Sequence, residues 1–94
     1  MTKILDTATS DTGTIFEFSG VQKRRPQGVV VGVSVGSGDT VTIFTKTGEL
    51  AYRPAEVITE SKDITFVGLP DSIRVDRTVD GGSGESLAYI IQTG

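Results

Sequence analysis

Histidine, cysteine and tryptophan are all missing from this chain of 94 residues, and each absence removes a class of chemistry. Without histidine there is no proton shuttle with an ordinary pKa near neutrality, and without cysteine there is no thiol nucleophile. Together they also take away the nitrogen and sulfur ligands of transition metals. No disulfide can brace the fold, which is unusual for an extracellular domain this small unless association supplies the missing burial. Charge is scarce too, at 22% of residues, and twelve acids outweigh nine bases to leave a net charge of −3. That balance speaks against a nucleic-acid footprint, which needs clustered Lys and Arg to displace counterions. No run of about eighteen apolar residues occurs, and Met1-Thr2-Lys3-Ile4-Leu5 lacks the apolar stretch of a signal peptide. The expectation is a chain made in the cytoplasm, with no membrane span, no cofactor, no metal and no enzymatic activity.

What is present is two-residue alternation punctuated by glycine, which makes up 12 of the 94 residues. Val29-Val31-Val33-Val35, Val41-Ile43, Ile73-Val75 and Leu87-Tyr89-Ile91 each place apolar side chains on one side of a strand. Further strands are expected at Thr14–Phe18, Glu49–Arg53 and Lys62–Gly68. Gly36-Ser37-Gly38-Asp39 reads as the turn of a hairpin joining the valine strand to Thr40–Lys46, and Asp80–Glu85 as the tip of a second hairpin. Pro54 is expected to stop the strand before it; residues 55–60 then admit either a short strand around Val57 and Ile58 or a helical turn starting at Pro54. The small second face of the valine strand, Val30-Gly32-Ser34, predicts a crowded central position. The fold expected is all-β: a small antiparallel sandwich or jelly roll of about eight short strands, since closed antiparallel sheets protect many edges. Residues 14–94 form that single β-sandwich domain, and residues 1–13, with only Ile4, Leu5 and Ala8 as apolar relief, read as an N-terminal arm that orders against a partner, the alternative being that Lys3-Ile4-Leu5 adds an edge strand to the domain itself.

Several residue groups have the chemistry of candidate sites. Lys23-Arg24-Arg25 is the one basic run, suited to steering an acidic surface, although a solvated loop explains it as well. Asp76, Asp80 and Glu85 offer oxygen ligands near a flexible tip, but not the fixed intervals that calcium requires. Carboxylate pairs for acid–base work can be drawn from Glu17, Asp39, Asp63 and Asp76, yet nothing marks one as buried. Ser34-Val35-Gly36-Ser37-Gly38 has neither a nucleophile elbow nor a phosphate-loop lysine. Of the six aromatic residues only Tyr52, beside Arg53 and Pro54, reads as exposed, so the partner-contacting candidates are Ile4, Leu5, Lys23, Arg24, Arg25, Tyr52 and Arg53.

The stretches Thr40–Phe44, Ile64–Val75 and Ser86–Ile91 give residues 28–92 a threonine-rich β character in which each strand ends at a Gly-, Pro- or Asp-based turn, behind an irregular N-terminal segment. In this style, rather than by a motif, the chain resembles the small all-β structural proteins of tailed bacteriophage virions. The resemblance implies virion assembly without catalysis: a capsid decoration (cement) protein in the first instance, with neck, tail and fibre roles open. It also implies residence in the virion after synthesis in the host cytoplasm. Partners would be a second copy, as a homo-oligomer with a trimer favoured, and a major structural protein of the assembly. The alternative is a carbohydrate- or ligand-binding β-sandwich module, such as a fibre or receptor-binding domain, using Tyr52 and the turn carboxylates.

Overall fold

Alternation of apolar and polar residues makes a ribbon with one dry side, and such ribbons are stable when two dry sides meet. The computed structural model describes residues 2–18, 29–66, 70–82 and 84–92, and in it eight such ribbons form two four-stranded antiparallel sheets. The strands are β1 (Thr2–Asp6), β2 (Phe16–Glu17), β3 (Val29–Ser34), β4 (Thr40–Lys46), β5 (Arg53–Ile58), β6 (Lys62–Phe66), β7 (Ser72–Val79) and β8 (Leu87–Gln92). One sheet has the order β1-β8-β3-β6 and the other β2-β7-β4-β5. Nested partners β1·β8, β2·β7, β3·β6 and β4·β5 make one long antiparallel ribbon folded over on itself, which is the jelly-roll arrangement. Its radius of gyration is 12.9 Å, close to the ~13 Å of a compact domain of this length.

The core lies between the sheets. Val29, Val31 and Val33 of β3 face Val41 and Ile43 of β4 across it, with Ile73 and Val75 of β7, Ala88 and Ile90 of β8, and Ile58 of β5 completing it. As expected, β3 is central and crowded: a Cβ on Gly32 would lie 3.1 Å from the Asp63 carboxylate. Phe16 and Phe18 share a side of the chain at one border, their rings edge-on with centroids 5.2 Å apart.

Four expectations are corrected. First, β3 and β4 are not a hairpin: β3 pairs with β6 and β8, while β4 pairs with β5 and β7. Residues 36–39 do turn, with Gly38 at φ +80° and the Asp39 N–H donating to the Gly36 carbonyl at 3.0 Å. The turn carries the chain from one sheet to the other because the valine rows then cover each other; side by side in one ladder, both would still need a cover. Second, β7 and β8 likewise belong to opposite sheets and are not the two arms of a hairpin.

Third, the N-terminal segment takes the edge-strand alternative in place of the arm. Thr2–Asp6 is an edge strand paired with β8, and its register slips so that Ile4 is the extra residue between Lys3, opposite Tyr89, and Leu5, opposite Ala88. The slip lets two consecutive side chains turn inward, and Ile4 and Leu5 are each only 2% exposed. Residues 11–14 then cross to the other sheet: the Thr14 N–H donates to the Ile4 carbonyl at 2.8 Å and the Arg77 N–H to the Asp11 carbonyl at 2.8 Å. Only glycine fits at position 13, where a Cβ would collide with the Val75 carbonyl oxygen. Fourth, the strand expected at Glu49–Arg53 is a turn up to Tyr52, and Pro54 lies inside β5 instead of stopping a strand or starting a helical turn, so the strand alternative around Val57 and Ile58 is the one realised. An edge strand tolerates proline, and the register shifts by one residue beside it, between Ile43 and Phe44 of β4.

Candidate binding face

The outer side of the β2-β7-β4-β5 sheet is fixed by the same alternation that builds the core. Val41 and Ile43 point inward from β4, as do Ile73 and Val75 from β7, so Thr42 and Phe44 emerge outward beside Asp76 and Arg74. Phe44 and Arg74 are directly opposite in the ladder. The Arg74 guanidinium carbon lies 5.2 Å from the Phe44 ring centroid and 5.1 Å from that of Tyr52, a cation held by two rings. Its Nε donates to Asp76 Oδ2 at 3.1 Å, and the Tyr52 hydroxyl shares a hydrogen bond of 2.7 Å with Ser72 Oγ. Asp76 is itself anchored, its Oδ1 accepting from the Gly13 N–H at 3.0 Å. The Arg74 side chain remains 28% exposed. Around it, exposed Pro54 stands opposite Phe44, Val57 stands opposite Thr42 with 58% of its surface in solvent, and Lys46 follows Phe44 on the same side of β4.

A second polar cluster sits at the end of the sandwich where three loops meet. Asp39, its side chain fully buried, accepts from the Gly81 N–H at 2.6 Å, from the Ser86 hydroxyl at 2.7 Å and from Arg77 Nη1 at 3.3 Å. Those bonds, the Gly81 N–H first, hold its carboxyl below the ordinary carboxylate range. Arg77 also reaches Asp11, Asp80 and the Gly84 carbonyl, and Ser86 takes the Gly36 N–H on its oxygen at 3.0 Å. Gly81 is where the loops touch, since a Cβ there would collide with the Ser37 carbonyl oxygen and the Gly38 backbone. The cluster ties the 36–39 turn to Gly81, Gly84 and Ser86 and to Thr7 and Asp11 of the 7–13 segment. It holds an ionised carboxylate against a guanidinium, an arrangement with no proton to give.

The sequence-derived site residues are dispersed. Ile4 and Leu5 belong to the core and are unavailable to a partner, because the register slip of β1 turns both inward. Lys23, Arg24 and Arg25 lie outside the described residues. Tyr52 is half-buried, a correction to its expected exposure: its ring faces Arg74 and its hydroxyl is engaged by Ser72. Arg53 is exposed at the start of β5. Asp76 and Asp80 turn away from a shared centre, towards Arg74 and Gly13 in one case and Arg77 in the other. Among the described residues no three acidic side chains converge as metal ligands. An open cleft of about 240 Å³ lies between β1 and the hydroxyl-bearing residues Thr9, Ser10, Thr12 and Thr14.

Arg74, Phe44 and Arg77 are absent from the sequence-derived sites, and Asp39 is there only as one of several carboxylates, with no sign of its burial. The outward placing of Arg74 was already implied by the inward placing of its neighbours, whereas Phe44 reads as one more packed ring. The burial of Asp39 had no sequence signal, because an aspartate after a glycine turn has the same local appearance whether wet or enclosed. No family model, curated protein or solved structure matches this chain.

Proposed function

We propose that this chain is a non-enzymatic structural and binding protein of a larger assembly, and that the assembly is a virion in which it serves as a capsid decoration protein. The observation that carries the reading is the outer face of the β2-β7-β4-β5 sheet. There a cation fixed between two rings stands beside exposed Pro54 and Val57, a surface built for contact with another macromolecule rather than a cavity enclosing a substrate. The fully buried Asp39 supports the non-enzymatic half, since its carboxyl is bonded on both oxygens and kept ionised by loop contacts. The virion half is supported by analogy, jelly rolls recurring in capsid proteins and in lectin domains alike. On this reading the chain associates with itself, a trimer being favoured, and with a major structural protein of the particle.

The test is to express the tagged chain in its native background and fractionate particles on a density gradient, with light scattering on the purified protein. Stoichiometric chain in a particle fraction, together with a mass above that of the monomer, is the expected result. A monomeric mass at high concentration with no chain in any particle fraction overturns the reading. Saccharide binding on a glycan array, lost on Tyr52→Ala, would replace it with the carbohydrate-binding module.

A further inference from the structure

We propose that Arg74 is the anchor of a docking site for a carboxylate carried by a segment of a partner protein, with Pro54 and Val57 receiving an apolar side chain next to that carboxylate. The inference deepens the binding reading above and rests on it for the existence of a partner. Only Nε of Arg74 is engaged, by Asp76; among the described residues neither Nη nitrogen has a hydrogen-bond or ion-pair partner. A guanidinium whose Nε edge is closed and whose Nη groups are free presents donors in the geometry that a carboxylate matches. The rings of Phe44 and Tyr52 hold its plane before any ligand arrives, so little rotamer freedom remains to be lost on binding.

The surroundings specify the occupant further. Lys46 and Arg53, which flank this end of the sheet, make no ion pair with any described residue. The chain as a whole nevertheless carries a net charge of −3. A single anionic group is therefore attracted locally, whereas a polyphosphate or nucleic acid would meet too few cations and a repelling background. Pro54 has no N–H to offer a ladder, so an incoming segment is recognised there by side chains, and exposed Val57 supplies the apolar surface.

N-acetyl-leucine, which joins a carboxylate to an apolar side chain, is the probe. Its amide, N-acetyl-leucinamide, and acetate and inorganic phosphate at matched ionic strength are the controls. On the ¹⁵N-labelled protein the Arg74 Nε–H resonance is expected to shift saturably with N-acetyl-leucine, more weakly with acetate and not with the amide. Arg74→Lys, which keeps the charge and loses the fork, should weaken binding at least about tenfold. Val57→Asp, at an exposed position that does not threaten the fold, should weaken it by removing the apolar surface that receives the leucine side chain. A response to the amide equal to that of the acid, tighter binding of phosphate, no saturable shift at Arg74, or undiminished binding by both variants overturns the proposal. The outcome is separable from that of the gradient experiment. A chain that enters particles without binding the probe loses this inference alone, and one that binds the probe but never enters a particle loses the virion reading alone.

Discussion

Asp39 has no exposed side-chain surface, and its partners lie far along the chain: Ser86 is 47 residues away and Arg77 is 38. Its worth is therefore long-range. A carboxyl held below its ordinary range by the Gly81 N–H, Ser86 and Arg77 favours the folded state once it is ionised. The folded-state pKa being lower than the unfolded one, that stabilisation is complete above the unfolded value of ~3.9 and is lost as pH falls through the folded value. The melting temperature of the wild type should accordingly drop in the acid range below about pH 4, and Asp39→Asn, which loses the charge on the bonds from Gly81, Ser86 and Arg77, should melt several degrees lower at neutral pH. In the variant the acid-range slope should also be shallower. Thermal scans of both proteins between pH 2 and pH 7, about the span that brackets carboxylate titration, check this; parallel curves would show that Asp39 does not titrate across folding. Asp6, lowered by its hydrogen bond from Lys3, contributes with the same sign in both proteins and so cancels in the comparison. None of this was legible at position 39 itself, because the sequence displays what a side chain can do locally and not which distant loop folds over it.

At the level of elements, alternation revealed which residues face inward and left open which strand pairs with which. A period of two fixes the sides of a strand, but a glycine turn between two such strands fits a hairpin and an arch equally. Hence residues 29–34 and 40–46 were legible as strands, and their assignment to opposite sheets was not. The β4–β5 connection is a true hairpin, with Gly48 at φ +60° and the Leu50 N–H donating to the Thr47 carbonyl at 3.2 Å. For β1 the arm and the edge strand both stayed open, because its two core residues, Ile4 and Leu5, are adjacent in sequence and a register slip rather than alternation turns both inward. Their burial makes the strand part of the fold's stability. Leu5→Ala should cost about 2–5 kcal/mol in urea unfolding, the range for deleting most of a buried leucine side chain. Removing residues 2–12 should lower the melting temperature of the isolated protein by many degrees, since β8 then loses one of its two neighbours and the Thr14 N–H loses the Ile4 carbonyl that accepts it. A deletion that melts unchanged would restore the arm. The candidate face was half legible: the alternation of Ser72–Arg77 places Arg74 outward, whereas Phe44 reads as one more packed ring, and Tyr52 joins them from outside any strand and gave no sign of doing so.

For the molecule as a whole, the nesting of strand pairs sets the order in which folding can proceed at acceptable entropic cost. The pair β4·β5 is closed by a short turn, whereas β3·β6, β2·β7 and β1·β8 enclose progressively longer loops, the last joining Thr2 to Ile90. Loop-closure entropy grows with the length left free, so forming each inner pair shortens the loop that the next must close. The ribbon should therefore zip outward from β4·β5, with β7 joining β4 early and β1 docking on β8 last. Such a contact pattern, dominated by distant pairings, also places folding in the slow range of milliseconds to seconds typical of sandwiches. Stopped-flow chevrons on two variants test the order. Ile43→Val, on β4 and paired with both Glu56 and Val75, should chiefly slow folding, with a φ-value above about 0.5. Leu5→Ala, on the outermost pair, should leave the folding rate nearly unchanged and accelerate unfolding, with a φ-value below about 0.3. The reverse pattern, a folding rate sensitive at Leu5 and insensitive at Ile43, would mean that the termini pair first and that the wrapped ribbon closes from its open end inward.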